Sequence, residues 1–297
     1  MPVDYTTLYL RSYNCDRILN NPKLDFSLNY NENGVVLDNK RIAEHHFCKI
    51  LVYDNGTVFF KGSLHKMYNS IIGIKPPNYN SNSVYKGFNG NEFTVENVLF
   101  VIIYLETLFG ISRFNFVIKK IEIGLNIQVF FNPLFVVRNL LEIGGTAFEF
   151  KYNSHFAICE KSDYFLKVYD KSSQYNLEES KLRVELKTRK MRVFERAKIK
   201  TLGDLTYDRL SEAINILLKH WNKVLLYDFT INETKLTVRE KNALNNKFQH
   251  IKYWQNLSAN NKDKPRKAYH KIVDNYSDNI KEQISQKIQS TKISHFN

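Results

Sequence analysis

The chain has 297 residues, 43% of them hydrophobic, which is enough to bury a core as one large domain or as a domain with an appendage. Its formal net charge of +13 is concentrated: residues 181–200 hold nine basic and two acidic side chains, residues 247–297 hold ten and four, and the rest balances. That is the footprint of a polyanion binder, whereas three cysteines without paired spacing exclude a disulfide framework and a structural zinc site and fit a reducing cytoplasm.

In chain order, residues 5–11 predict a strand, and residues 14–40, rich in Asn and Asp, a loop with short strands. Two β-rich runs, 47–53 and 57–61, flank Asp54-Asn55-Gly56, a strong hairpin signal. Residues 73–92 carry Gly, Pro, Asn and Ser and predict a surface loop. Thr94 is placed to cap a helix whose apolar residues recur to Phe109, with Gly110 as its stop. The longest apolar run, 98–105, ends at Glu106 and is far short of a membrane span, and the N-terminus does not read as a signal peptide.

The clearest strand is 120–130, with Ile121, Ile123, Leu125, Ile127 and Val129 on one face and Lys120, Glu122, Gly124, Asn126 and Gln128 on the other. Asn132-Pro133 predicts a helix to about residue 143, stopped by Gly144-Gly145. Strands are expected at 147–150, 155–159, 165–171 and 182–187, and helix from Arg189 onward, including 208–226. Residues 246–297 predict a basic helical C-terminal region appended to a domain of residues 1–245. Mixed strands and helices with hairpins give an α+β fold with a mainly antiparallel central sheet and flanking helices.

Three strands place reactive groups on their polar faces: Glu122 and Asn126, then Tyr169 and Lys171, then Arg183, Glu185 and Lys187. If these strands are neighbours, two carboxylates, an amide and a phenol converge, and such oxygen donors suit Mg²⁺ or Mn²⁺. A phenol titrates near pH 10 and needs a base, a cation or a metal to attack phosphorus; Lys171 is a candidate cation. Pattern alone leaves Tyr169 one tyrosine among 18 and His65 an ordinary structural histidine.

Four segments, in order over about 200 residues, carry more. Gly62-Ser63-Leu64-His65-Lys66, the acidic strand around Glu122, Leu166-Lys167-Val168-Tyr169-Asp170-Lys171, and Leu182-Arg183-Val184-Glu185-Leu186-Lys187 precede Thr201-Leu202-Gly203-Asp204-Leu205. In this order the chain resembles the gene II-type replication proteins of filamentous phages and their plasmid and prophage relatives, which nick and close an origin for rolling-circle replication. The resemblance implies a fold related to the HUH nucleases and a bacterial cytoplasmic enzyme. It implies a Tyr169 nucleophile that leaves a 5′-phosphotyrosine and a free 3′-hydroxyl. Arg183 and Lys171 are electrostatic helpers in this reading. Glu122 and Glu185 become metal ligands, with Asn126 and His65 as further members. The His-hydrophobic-His motif of many such initiators is absent from the eight histidines, so the metal site must rest on carboxylates.

Lys187, Arg189, Lys190, Arg192 and Arg196 are placed to track DNA beside the site, Lys61 and Lys66 to hold a single strand, and Arg266, Lys267 and Lys271 to read an origin from the C-terminal region. Partners would be origin DNA, double-stranded and locally single-stranded, with host helicase and polymerase, no membrane, and room for a homo-oligomer. The alternative is an origin-binding or repressor protein without catalysis. A tyrosine recombinase fits less well because of the paired carboxylates, and a capsid role leaves the basic segments unexplained.

Overall fold

The computed structural model describes residues 3–28, 39–77 and 87–291, and the fold is α+β with a large antiparallel sheet. Ten strands hydrogen-bond in the order Phe26–Ser27, Lys40–His45, Cys48–Tyr53, Val58–Ser63, Val3–Leu10, Phe116–Gln128, Lys181–Thr188, Tyr164–Asp170, Phe156–Glu160, Glu149–Lys151. The chain forms two compact units, residues 1–124 with 187–213, and 125–186 with 214–297.

In the first unit, β1 (Val3–Leu10), β2 (Phe26–Ser27), β3 (Lys40–His45), β4 (Cys48–Tyr53) and β5 (Val58–Ser63) form antiparallel ladders, and β1 also pairs with β6 (Phe116–Gln128). The β4–β5 hairpin turns at Gly56, whose φ of 79° suits glycine in that position. The loop expected before β3 also holds a short helix, α1 (Cys15–Leu19). Helix α2 (Leu64–Ile71) packs on β1 and on α3 (Val95–Phe109). Thr94 and Asn97 form a reciprocal capping box at the start of α3, and Gly110 closes it in the left-handed conformation, so both predicted ends hold. Part of the predicted 73–92 loop, residues 78–86, lies outside the described residues.

In the second unit, α4 is short (Pro133–Arg138), and the chain then enters β7 (Leu140–Ile143). The predicted helix to 143 is therefore corrected. All four β7 residues are buried, and a continuous apolar run reads equally well as a buried strand. The same correction applies downstream: α6 (Tyr207–Trp221) ends early, and β13 (Val224–Leu226) pairs with β7, which pairs in turn with β8 (Thr146–Ala147). The remaining strands are β9 (Glu149–Lys151), β10 (Phe156–Glu160), β11 (Tyr164–Asp170) and β12 (Lys181–Thr188). A short helix, α5 (Lys171–Tyr175), follows β11. The helix expected from Arg189 is instead a 3₁₀ turn at Met191–Phe194, followed by another at Leu202–Asp204.

The C-terminal residues form α7 (Val238–Ala243), a π-helical turn at Leu244–Phe248, α8 (Ile251–Gln255), α9 (Asp263–Tyr276) and α10 (Ile280–Ser290). They are core rather than tail: Tyr269, Ile272 and Val273 of α9 share one buried cluster with Leu141 and Leu225. The Glu142 carboxylate, fully buried on β7, accepts from Lys262 at 3.0 Å and Arg266 at 2.7 Å, which ties β7 to α9. Among the described residues no helix is long and apolar enough to cross a membrane.

His220, at the end of α6, stacks on Tyr164 with ring centres 4.2 Å apart, and its buried Nδ1 has no hydrogen-bond partner. Burial first, then Lys223 and Lys219, pulls its pKa down to about 4. The folded state therefore resists a proton that the unfolded chain takes up near pH 6.5, and stability is lost as pH falls from there towards 4. Melting curves across that window should show the loss, and His220→Phe should flatten it; an unchanged pH dependence in that variant would remove His220 as the cause.

Candidate functional site

Alternation in β11 and β12 builds the site. In β11, Leu166 and Val168 are buried on one face while Phe165, Lys167 and Tyr169 point to the other. In β12, Leu182, Val184 and Leu186 repeat the buried face, and Arg183 and Glu185 lie on the polar one. The polar face is not solvated at its centre: Arg183 is 3% exposed and Glu185 1%.

Burying a carboxylate is costly unless it is paired and fully hydrogen-bonded. Glu185 meets that condition with two cations. Lys167 Nζ donates to one oxygen at 2.7 Å and Arg183 Nε to the other at 2.8 Å. The Tyr169 hydroxyl reaches the same carboxylate at 3.4 Å. Arg183 extends its fork to Asn126 Oδ1 on β6, 2.9 Å away. The sequence thus brought together Tyr169, Glu185, Arg183 and Asn126, while Lys167 was overlooked as a site residue. Its signal was present: it sits two residues before Tyr169 on the same strand face.

Lys171 stands elsewhere than expected. The strand ends at Asp170, whose carboxylate caps α5 by accepting from Ser173 N at 3.1 Å, and Lys171 is the first residue of that helix. It is fully buried, donates to Gln174 at 2.9 Å, and holds its ammonium 5.5 Å from the Tyr169 ring centre and 4.8 Å from that of Tyr175. The correction is physical: Asp170 offers the backbone an N-cap, which turns the chain out of the strand one residue before Lys171.

Glu122 belongs to the first unit, where Lys187 Nζ holds it at 2.9 Å and also sits 5.6 Å from the Tyr5 ring centre. Burial, then Glu122, raises the Tyr5 pKa. His65 is also in the first unit, bonded through Nε2 to Asn91 at 2.8 Å and stacked on Phe93 with ring centres 4.5 Å apart. Near it Asp4, which sequence reasoning passed over, accepts from Ser63 and from Asn89 at 2.7 Å. This network of buried polar side chains fixes the β5–α2 junction. Lys66 beside it is half-buried, and burial lowers its pKa; Lys61 lies along the Phe59 ring, 5.8 Å from its centre.

The implied divalent metal can be tested against these donors. Among the described residues no three His, Cys, Asp or Glu side chains group to hold a metal. Each proposed carboxylate ligand already carries a cation, Lys187 on Glu122, and both Lys167 and Arg183 on Glu185. A divalent ion at Glu185 would meet two positive groups within bonding range of its own ligand. Among the described residues, the oxygens of this carboxylate are thus taken by ammonium and guanidinium groups, not left open for a divalent ion. The donor set as arranged does not fit the metal, and no step is derived through it.

Of the expected DNA-contacting groups, Arg189, Lys190, Arg192 and Arg196 are exposed around the 3₁₀ turn after β12. Lys271 is exposed too, Lys267 forms an exposed pair with Asp263 at 2.8 Å, and Arg266 is engaged with Glu142. The chain matches no family model and no curated protein sequence.

The geometry changes what a Glu185 substitution should do. From the sequence, Glu185→Gln is expected to spare the fold. With Arg183 and Lys167 on that carboxylate, loss of its charge leaves a buried guanidinium unpaired, which costs about 3–5 kcal/mol when a partner is removed outright. Glu185→Gln should melt well below the parent, and Lys167→Met added to it should recover part of the loss. Equal melting of parent and Glu185→Gln would mean the pairs carry no energy.

Proposed function

We propose that the chain is a DNA-nicking and strand-joining enzyme of the rolling-circle initiator kind, with Tyr169 as nucleophile and origin DNA as substrate. The observation that carries the reading is the phenol of Tyr169 poised 3.4 Å from a buried carboxylate that two cations flank. Among the described residues around Tyr169, Glu185 is an acidic acceptor placed to take the phenolic proton, and the half-buried position of Tyr169 leaves its ring reachable.

In this reading the scissile phosphate docks against Lys167 and Arg183, whose positive charges offset the charge that develops on its oxygens. The Tyr169 oxygen bonds to phosphorus as the bond from phosphorus to the 3′-oxygen breaks. The phenolic proton passes to Glu185 and from there, through water, to the departing 3′-oxygen, which leaves as a hydroxyl. The DNA stays linked by a 5′-phosphotyrosine. Hydroxyl-for-hydroxyl exchange keeps the phosphodiester energy, so the reverse step can close a strand without ATP. Lys171 is buried with its ammonium 5.5 Å from the Tyr169 ring centre, and in this reading its charge favours the ionised phenol. The exposed basic segment 189–200 would hold the duplex by its phosphates, with binding that weakens steeply as salt rises.

The test is incubation with supercoiled DNA carrying the chain's own gene neighbourhood, with Mg²⁺ or Mn²⁺ and in a chelator. Nicked circles with protein covalently attached at the 5′ end are expected, and Tyr169→Phe should bind DNA yet give no adduct. An adduct of full yield from that variant moves the nucleophile elsewhere. DNA binding without nicking under every condition favours the non-catalytic origin-binding alternative. Activity that survives the chelator assigns the charge to Lys167 and Arg183, whereas its complete loss restores the metal requirement of the proteins the sequence resembles.

A further inference from the structure

The turn between β9 and β10 holds three successive non-glycine residues in the left-handed region, Tyr152, Asn153 and Ser154, with φ of 53°, 52° and 65°. Asparagine tolerates that conformation; tyrosine and serine adopt it at a cost of about 1–3 kcal/mol each. Glycine would relieve the strain, yet position 152 carries one of the largest side chains. That side chain is mostly turned to solvent, since Tyr152 is 76% exposed. A strained backbone that presents an aromatic ring to solvent gains little stability from it.

The ring begins a series. Tyr152 meets Phe156 edge to face with centres 6.0 Å apart, and Phe156 meets Tyr169 at 5.4 Å. Phe156 is the cross-strand partner of Tyr169 on one side and of Lys151 on the other, so all three residues occupy one row on the face that carries the site. Lys151, 3.5 Å from Glu149, and Lys167, 2.7 Å from Glu185, place ammonium groups beside this row. A row of aromatic rings bordered by cations matches the chemistry of single-stranded nucleic acid, where bases stack on rings and phosphates meet ammonium groups.

We infer that Tyr152 and Phe156 form a stacking platform for unpaired DNA bases that flank the phosphate attacked by Tyr169. The inference rests on the nucleophile reading for its location, and it names what that reading leaves open: how an unpaired strand is seated so that one phosphate faces the phenol. Tyr152 acts as a substrate-positioning residue. Duplex DNA, whose bases are already stacked, gains nothing from the platform.

Binding of a single-stranded oligonucleotide that carries a fluorescent purine analogue tests it, in a Tyr169→Phe background where no chemistry occurs. Tyr152→Gly keeps the turn, because glycine adopts positive φ freely, and removes only the ring. This variant should melt at or above the parent temperature, bind the oligonucleotide about ten-fold more weakly, and lose the fluorescence quenching that stacking produces. Tyr152→Trp should keep both binding and quenching. Affinity for the matching duplex should not change. Unchanged single-strand affinity and quenching in Tyr152→Gly would overturn the platform. The two readings fail separately: a wild-type protein that never forms an adduct but loses single-strand affinity in Tyr152→Gly keeps the platform and loses the nucleophile. An adduct of normal yield with unchanged affinity does the reverse.

Discussion

The Glu185 carboxylate is the constraint around which the second unit's polar face is organised. It is 1% exposed on a strand whose other face is packed core, and it is stable there only because Lys167 and Arg183 saturate its oxygens. Each partner is fixed in turn. Lys167 reaches across from β11, and Arg183 uses the rest of its fork on Asn126. In the proposed reading the cations are held in place before a phosphate arrives, which is the condition under which electrostatic stabilisation of a transition state is most effective.

The same carboxylate explains why the phenol is where it is. Tyr169 and Lys167 share a strand face, so one acidic group on the neighbouring face meets both. The strand then ends at once. Asp170 caps α5, and that turn holds the Lys171 ammonium 5.5 Å from the ring centre. Phenol, base and two kinds of cation thus come from two strands and one helix start, with little freedom left in any of them.

How much of this was legible follows from where the information lies. The alternation of β11 and β12 fixes which side chains share a face, and a period of two survives in the sequence. The caps of α3 and the β4–β5 turn were legible for the same reason, because Thr94, Gly110 and Gly56 act locally. β7 and β13 were not. Leu140, Leu141 and Ile143, like Val224, Leu225 and Leu226, are buried without alternation, and only their pairing with each other makes them strands. Residues 246–297 looked like a basic appendage because charge is visible in sequence and burial is not. Arg266 and Lys262 there face Glu142, from a strand more than a hundred residues earlier. The pairing of Glu122 with Lys187 and of Glu185 with Lys167 was invisible for the same reason, since a list of charges on one face does not say which acid takes which base.

That last point bears on how carboxylates in such proteins are interpreted. Two acids on neighbouring polar faces suggest a cation site only as long as their partners are unknown. Once each acid is seen to hold ammonium or guanidinium groups, its oxygens are already engaged and the case for a cation site weakens. Under the proposed function, Glu185 has a capacity a metal ligand lacks, to accept the proton of the phenol 3.4 Å away. In that reading base, nucleophile and phosphate-binding cations would all come from one buried group and its pairs, and the aromatic row leading to Tyr169 along the same face would carry the strand that brings the phosphate in.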